Sequence, residues 1–175
     1  MVVSGDTAVL NKIKYLSTQA KDDAANFIHN EVGYNYRMTN IQAAMGVAQL
    51  ERLEEFIRVK RDNYIRYRKG LEGLDRFSLL GFREGIRSNC WFYSLYINDA
   101  KISKCDIINL LKENNIQSRP IWGLISDQKP YAGGIEYKLE KCREYYDRVV
   151  NLPCSTNLSG EDVDRVVGVL RKAFG

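Results

Sequence analysis

The chain has 175 residues, 45% hydrophobic and 27% charged, with 26 Lys/Arg interleaved among 22 Asp/Glu for a net charge of +4. This composition fits one globular core, or a smaller core plus part of a neighbouring domain. It excludes a membrane span, which needs roughly 20 consecutive apolar residues, and it lacks the clustered basic face of a nucleic-acid binder.

The start, Met1-Val2-Val3-Ser4-Gly5-Asp6, has no basic region followed by an apolar core, so no signal peptide is expected and the location expected is cytoplasmic. Cys90, Cys105, Cys142 and Cys154 form no C-x-x-C pair, and His29 is the single histidine. Neither a zinc site nor a disulfide framework is suggested, and no metal is expected.

In chain order, Met1 to Ser4 reads as the end of a strand, and Asp6 as the cap of a helix with Val9, Leu10, Ile13 and Leu16 on its apolar face. Residues 17–32 show no sustained period and read as a structured loop, a length often associated with function. From Asn40, capped by Thr39 or by itself, a helical pattern runs for some thirty residues. Its small apolar start (Ile41, Ala44, Met45, Ala48) is expected to be buried, and its charged end, along Leu53, Ile57, Tyr64, Tyr67 and Leu71, to enter a second domain. Gly70 and Gly73 end it. The domains expected are therefore residues 1–50, a remnant of a larger domain, and 51–175, a small C-terminal domain.

Residues 77–82 and 89–97 read as strands, and the continuous apolarity of the second places it centrally in a sheet covered on both faces. Ser103 caps a helix that turns Ile107, Ile108, Leu110 and Leu111 inward. Residues 116–121 read as a strand ended by Pro120, 122–134 as a loop, 136–150 as a helix and 151–154 as a short strand. The last helix opens with the capping box Ser159 to Asp162 and buries Val163, Val166, Val167, Leu170 and Phe174. The fold class is α/β in composition: a small α+β domain with a long connecting helix, a mostly antiparallel sheet and helices.

Two places carry candidate chemistry. Asn35, Tyr36 and Arg37 precede a helix start, where an amide, a phenol and a guanidinium suit a phosphorylated ligand; a surface turn with packed aromatics fits the spacing equally well. Arg119 and Trp122 lie at the end of a strand, where small domains display ligand contacts; an ion-paired Arg and a core Trp are the alternative. His29 has no neighbour in sequence to orient it as a base. No lysine stands in a catalytic setting, and no glycine-rich phosphate loop is present, so no catalytic residue is expected in this chain.

The run His29-Asn-Glu-Val-Gly-Tyr-Asn-Tyr-Arg-Met-Thr-Asn-Ile-Gln-Ala-Ala-Met-Gly-Val-Ala-Gln-Leu-Glu-Arg-Leu53 resembles the signature of the DegT/DnrJ/EryC1/StrS sugar aminotransferases. Ser118-Arg-Pro-Ile-Trp122, the Q-x-P-Y turn Gln128 to Tyr131 and the L-P-x-S segment within Asn151 to Ser159 agree in order, so the resemblance spans nearly the whole chain. It implies the C-terminal part of a fold-type I, aspartate aminotransferase-like chain that uses pyridoxal phosphate. The partners implied are a nucleotide-linked keto-sugar, glutamate as amino donor, and a second copy in a homodimer.

By the same resemblance, Asn35 reaches across the dimer to the cofactor phosphate, Tyr36 and Arg37 lie near the nucleotide sugar, and Arg119 and Trp122 contact substrate. Met1-Val2-Val3 matches the end of the strand that follows the cofactor lysine, which places that lysine upstream. The loop Leu124-Ile125-Ser126-Asp127 departs from the family in lacking a histidine. The stretches 18–23 and 28–31 look most like those of enzymes acting on UDP- or GDP-linked 4-keto-6-deoxy sugars. A stand-alone dimerisation or interaction domain without chemistry is the alternative function.

Overall fold

A computed structural model describes residues 2–23, 25, 27–131 and 133–175. The chain divides into two units, Met1–Arg52 and Leu53–Gly175.

In the first unit, α1 (Thr7–Ser17) begins where the Asp6 carboxylate accepts the backbone N–H groups of Ala8 and Val9 at 2.8 and 3.4 Å. Residues 2–4 form no strand, because no described segment pairs with them; Met1 lies outside the described residues. The loop expected over 17–32 is present where described, with Ala24 and Asn26 outside the described residues.

Helix α2 (Asn40–Glu51) opens on a reciprocal capping box between Thr39 and Gln42. Contrary to the expectation of a buried start, α2 buries none of its residues, and Ile41 and Leu50 are 76% and 68% exposed. The physical reason is that the unit has no core to cover them: Ala20 is its one buried position among the described residues. The thirty-residue helix is also interrupted. Arg52 (φ −104°, ψ 4°) caps α2, donating its N–H to the Gln49 and Leu50 carbonyls, and α3 (Leu53–Gly70) starts afresh.

The second unit holds the core. After α3 come β1 (Phe77–Leu79), β2 (Tyr93–Ile97), α4 (Lys104–Glu113), β3 (Arg119–Pro120), two 3-10 turns at Ile125–Asp127 and Lys129–Tyr131, α5 (Glu140–Arg148), β4 (Val149–Leu152) and α6 (Gly160–Phe174). The strands form one antiparallel sheet in the order β1-β2-β4-β3, with Phe77 opposite Ile97, Leu95 opposite Val150 and Arg119 opposite Asn151. As expected, β2 is central and has no exposed residue.

Capping boxes at Ser103/Asp106 and Ser159/Asp162 start α4 and α6 where the sequence places them. The α6 stripe Val163, Val166, Val167 and Leu170 is buried with Tyr67, Leu95, Ile107, Leu111 and Leu152. At Gly70 an added methyl would meet the Val167 side chain at 2.8 Å, so the small residue permits that close contact. The buried phenols are satisfied by backbone, Tyr93 donating to the Lys60 carbonyl at 2.8 Å and Tyr67 to that of Pro153 at 3.3 Å. Burial pushes both phenols up, so they stay neutral.

Several boundaries differ from the sequence reading. β2 starts at Tyr93 because Cys90 takes a left-handed φ of +52°, with its N–H donated to the Ser88 hydroxyl. β4 begins two residues early, since Val149 and Val150 are β-branched, fully buried and paired opposite Tyr96 and Leu95. That shortens α5 at its end. β1 stops at Leu79, and β3 is confined to the two residues that pair with β4.

Candidate functional site

Residues 33–39 form a loop fastened to the end of α1. The Tyr34 N–H donates to the Leu16 carbonyl at 2.7 Å, the Gln19 N–H to that of Tyr34 at 3.0 Å, and the Tyr36 N–H to that of Ser17 at 3.2 Å. Gly33 lies so close to the Gln19–Ala20 peptide that a methyl group there would stand 2.2 Å from the Gln19 carbonyl carbon. Tyr34 and Tyr36 stack, centroids 5.1 Å apart and planes within 13°.

On this braced backbone the side chains of Asn35 and Arg37 are exposed and make no hydrogen bond or ion pair to any described residue. Together with Tyr36, Met38, Thr39 and Gln42 they line an open concavity of about 570 Å³ at the start of α2. Free amide and guanidinium donors beside the positive end of a helix are what a phosphate group takes.

Behind the loop, one Asp22 oxygen accepts the Asn30 N–H at 2.8 Å and the Tyr15 hydroxyl at 2.9 Å. These bonds, the Asn30 N–H first, hold the Asp22 carboxyl below the usual carboxylate range. Desolvation, followed by the bond to Asp22, pushes the Tyr15 phenol up to about 12. His29 is not without an orienting group: its Nδ1 lies 2.7 Å from the Gln19 carbonyl. A carbonyl only accepts, so Nδ1 carries a proton and donates it to Gln19.

Arg119 and Trp122 lie in the second unit. Arg119 sits on the edge strand β3, exposed and without an ion pair among the described residues. Trp122 is 68% exposed and touches Phe92 edge-on at 5.1 Å and Trp91 at 6.1 Å. Trp91 was missed by the sequence reading, which buried it inside a longer β2; the left-handed turn at Cys90 leaves it 63% exposed. The only local signal was the Asn89-Cys90 pair, whose Asn89 side chain accepts the Trp91 N–H at 3.1 Å. Trp122 also borders a cavity of about 990 Å³, shared with Ile125, Ser126, Tyr131, Tyr137 and Tyr145.

Two half-buried lysines are committed elsewhere: the Lys60 ammonium donates to the Cys154 carbonyl, and that of Lys104 to the Tyr146 carbonyl at 2.7 Å. No cluster of metal-ligating side chains occurs among the described residues, and none of their helices is long and apolar enough to cross a membrane.

The fold, in which an antiparallel sheet is flanked by helices, is shared with part of solved aminotransferases. Helicobacter pylori PseC, an aminotransferase involved in pseudoaminic acid biosynthesis, superposes with a TM-score of 0.80 at 21% identity, over 98% of this chain and 47% of its own. TlmJ of Streptoalloteichus hindustanus gives 0.81 at 23% identity, over 96% and 45%.

The model of the DegT/DnrJ/EryC1/StrS aminotransferase family matches residues 1–171, and the chain belongs to that family. EpsN of Bacillus subtilis (strain 168), assigned by name as a pyridoxal phosphate-dependent aminotransferase, is 33% identical over 99% of this chain and 46% of its own length. GDP-perosamine synthase of Vibrio cholerae is 31% identical over 99% and 48%. The chain thus spans about half the length of the curated relatives it matches. The family's cofactor is pyridoxal phosphate, and the related aminotransferase Spr1654 of Streptococcus pneumoniae is known in forms with it. The free amide donors of Asn35 suit the phosphate end of that group.

Proposed function

We propose that this chain is the C-terminal portion of a pyridoxal-phosphate-dependent aminotransferase that aminates a nucleotide-linked keto-sugar, of the 4-keto-6-deoxy class, for polysaccharide or glycan biosynthesis. Residues 1–50 belong to its cofactor domain and 51–175 to its small domain. The observation that carries this reading is the pairing of family membership with a loop whose Asn35 and Arg37 side chains are held out on a fastened backbone without partners. Such preorganisation keeps the cost of ordering the loop low when an anion binds.

Pyridoxal phosphate, when bound, supplies the electron sink through which an amino group passes from glutamate to the sugar carbonyl. Asn35 donates its amide N–H groups to the phosphate in the neighbouring subunit's site of a homodimer. Tyr36 and Arg37 in the first unit, and separately Arg119 and Trp122 in the second, are assigned to substrate binding. The lysine that bonds the cofactor stands outside residues 1–175, so this chain alone carries no activity; borohydride reduction of the chain with pyridoxal phosphate, followed by peptide mapping, tests this, and a single labelled lysine with turnover would refute it.

The assignment is tested in the full-length parent. Asn35→Ala removes a hydrogen bond to a charged group, worth about 1.5–3 kcal/mol, and is expected to weaken cofactor binding roughly tenfold or more. Arg37→Ala is expected to raise KM for the nucleotide sugar and leave cofactor affinity unchanged. Unaltered cofactor affinity in Asn35→Ala would reject the role.

A second reading, a dimerisation domain without chemistry, is favoured by the exposed apolar residues of α2, Ile41, Met45 and Leu50. A parent that dimerises and binds pyridoxal phosphate in no state would select it.

A further inference from the structure

The two tryptophans of the chain, at positions 91 and 122, lie against one another although 31 residues separate them in sequence. Both are largely exposed, and with Phe92 they form a three-ring surface cluster in which every pair is in contact. Large aromatic faces left open to water cost free energy unless something covers them. Three further observations say what kind of ligand does so.

Arg119, three residues before Trp122, has no counter-ion among the described residues, and its Cα lies at most about 11 Å from that of Trp122 along the chain. The adjoining cavity is walled by aromatic and aliphatic side chains, Trp122, Tyr131, Tyr137 and Tyr145 among them, and its about 990 Å³ lies at the upper end of small-molecule sites, at roughly 300–1,000 Å³. The Ser126 hydroxyl in its wall is buried and finds no hydrogen-bond partner among the described residues. Buried hydroxyls are otherwise paired.

We infer that the Trp91–Trp122 cluster is a stacking platform for the planar base of a nucleoside diphosphate, with Arg119 taking its diphosphate and the Ser126 hydroxyl available to a polar edge of the ligand. The inference rests on the nucleotide-sugar reading above and locates the base within it. The two indole planes are inclined at 46°, so a base stacks on one ring face with the other ring along its edge, an arrangement that suits a base of any sequence identity, and an unpaired guanidinium one short strand-to-loop step away matches the anionic end of the same molecule. A neutral apolar ligand would leave Arg119 unused, and a free phosphate would leave the indoles uncovered.

Because the chain has no other tryptophan, its intrinsic fluorescence reports on this cluster alone. The 175-residue chain is titrated with UDP and with GDP, alongside inorganic pyrophosphate and a methyl glycoside. Saturable quenching by at least one nucleotide, with none from pyrophosphate or glycoside, is the result expected. Trp122→Ala should weaken binding roughly tenfold or more, and Trp122→Phe should retain most of it. Arg119→Gln should weaken the diphosphate and leave the nucleoside unaffected.

Trp122 is exposed, so an unchanged thermal midpoint certifies that its variants fold; isothermal titration of nucleotide into Trp122→Phe gives a readout independent of quenching. Quenching by the glycoside in place of the nucleotides, or none by any ligand, would overturn the inference. Either result would leave the cofactor role of Asn35 standing, since that is read in a different unit by a different ligand.

Discussion

Gly33 and Gln19 meet backbone to backbone: an added Cβ at Gly33 would fall 2.2 Å from the Gln19 carbonyl carbon and 2.3 Å from the Ala20 nitrogen. Neither obstacle is a flexible side chain, so nothing can swing aside. This contact, with the three backbone hydrogen bonds beside it, fixes where Asn35 and Arg37 stand.

Gly33→Ala is therefore expected to detach the loop from α1, at a cost of roughly 1–3 kcal/mol. Limited proteolysis should show faster cleavage between residues 17 and 40, while tryptophan fluorescence, which reports on the second unit, stays unchanged. Equal protease resistance in the variant would mean that the contact does not hold the loop.

Acidification probes the same brace. The Asp22 carboxyl is held below its ordinary range by the Asn30 N–H and then by the Tyr15 hydroxyl. A carboxyl depressed in the folded state contributes stability above its unfolded value, and the contribution is lost as pH falls through the folded value. Protection of residues 18–23 and 28–30 from hydrogen exchange should hold from neutral pH down to the usual carboxylate range and decline below it. Asp22→Asn should flatten that decline; an identical pH profile in the variant would show that Asp22 is not its source.

Stability is expected to be unequally distributed. Leu95 is fully buried at the centre of the sheet, so Leu95→Ala should cost about 2–5 kcal/mol. Ile41→Ala, on the exposed side of α2, should change the stability of the chain by less than about 0.5 kcal/mol. Urea unfolding followed by tryptophan fluorescence measures the first, and far-ultraviolet circular dichroism both. A large loss from Ile41→Ala would mean that α2 is packed.

Local chemistry made much of the second unit readable. Ser103 and Ser159 lie three residues ahead of Asp106 and Asp162, and both capping boxes form. The stripe from Val163 to Leu170 is buried where its period puts it. What escaped has non-local or conformational causes. Nothing in the residue at position 52 announces a helix boundary, yet Arg52 ends α2. A left-handed Cys90 turned an expected strand into a corner and exposed Trp91.

The candidate site divided in the same way. Asn35, Tyr36 and Arg37 were singled out because they are consecutive and precede a helix start, and the structure adds what spacing could not, the fastening of their backbone to Leu16, Ser17 and Gln19. The Trp91–Trp122 contact was not legible, since it joins the segment before β2 to the loop after β3. The orientation of His29 was missed for a like reason, its partner being a backbone carbonyl ten residues away.

Subunit complementation in the full-length parent tests the central claim, that Asn35 serves the cofactor of a neighbouring subunit, most directly. One variant carries Asn35→Ala, assayed at a pyridoxal phosphate concentration that leaves its own sites mostly empty, and the other a substitution of the cofactor lysine. Mixed and reassociated, half of the dimers are hybrids with one site intact in both components, and about a quarter of wild-type activity should return. A mixture no more active than its two parents would contradict the shared site and with it the role given to the loop at Gly33 to Thr39.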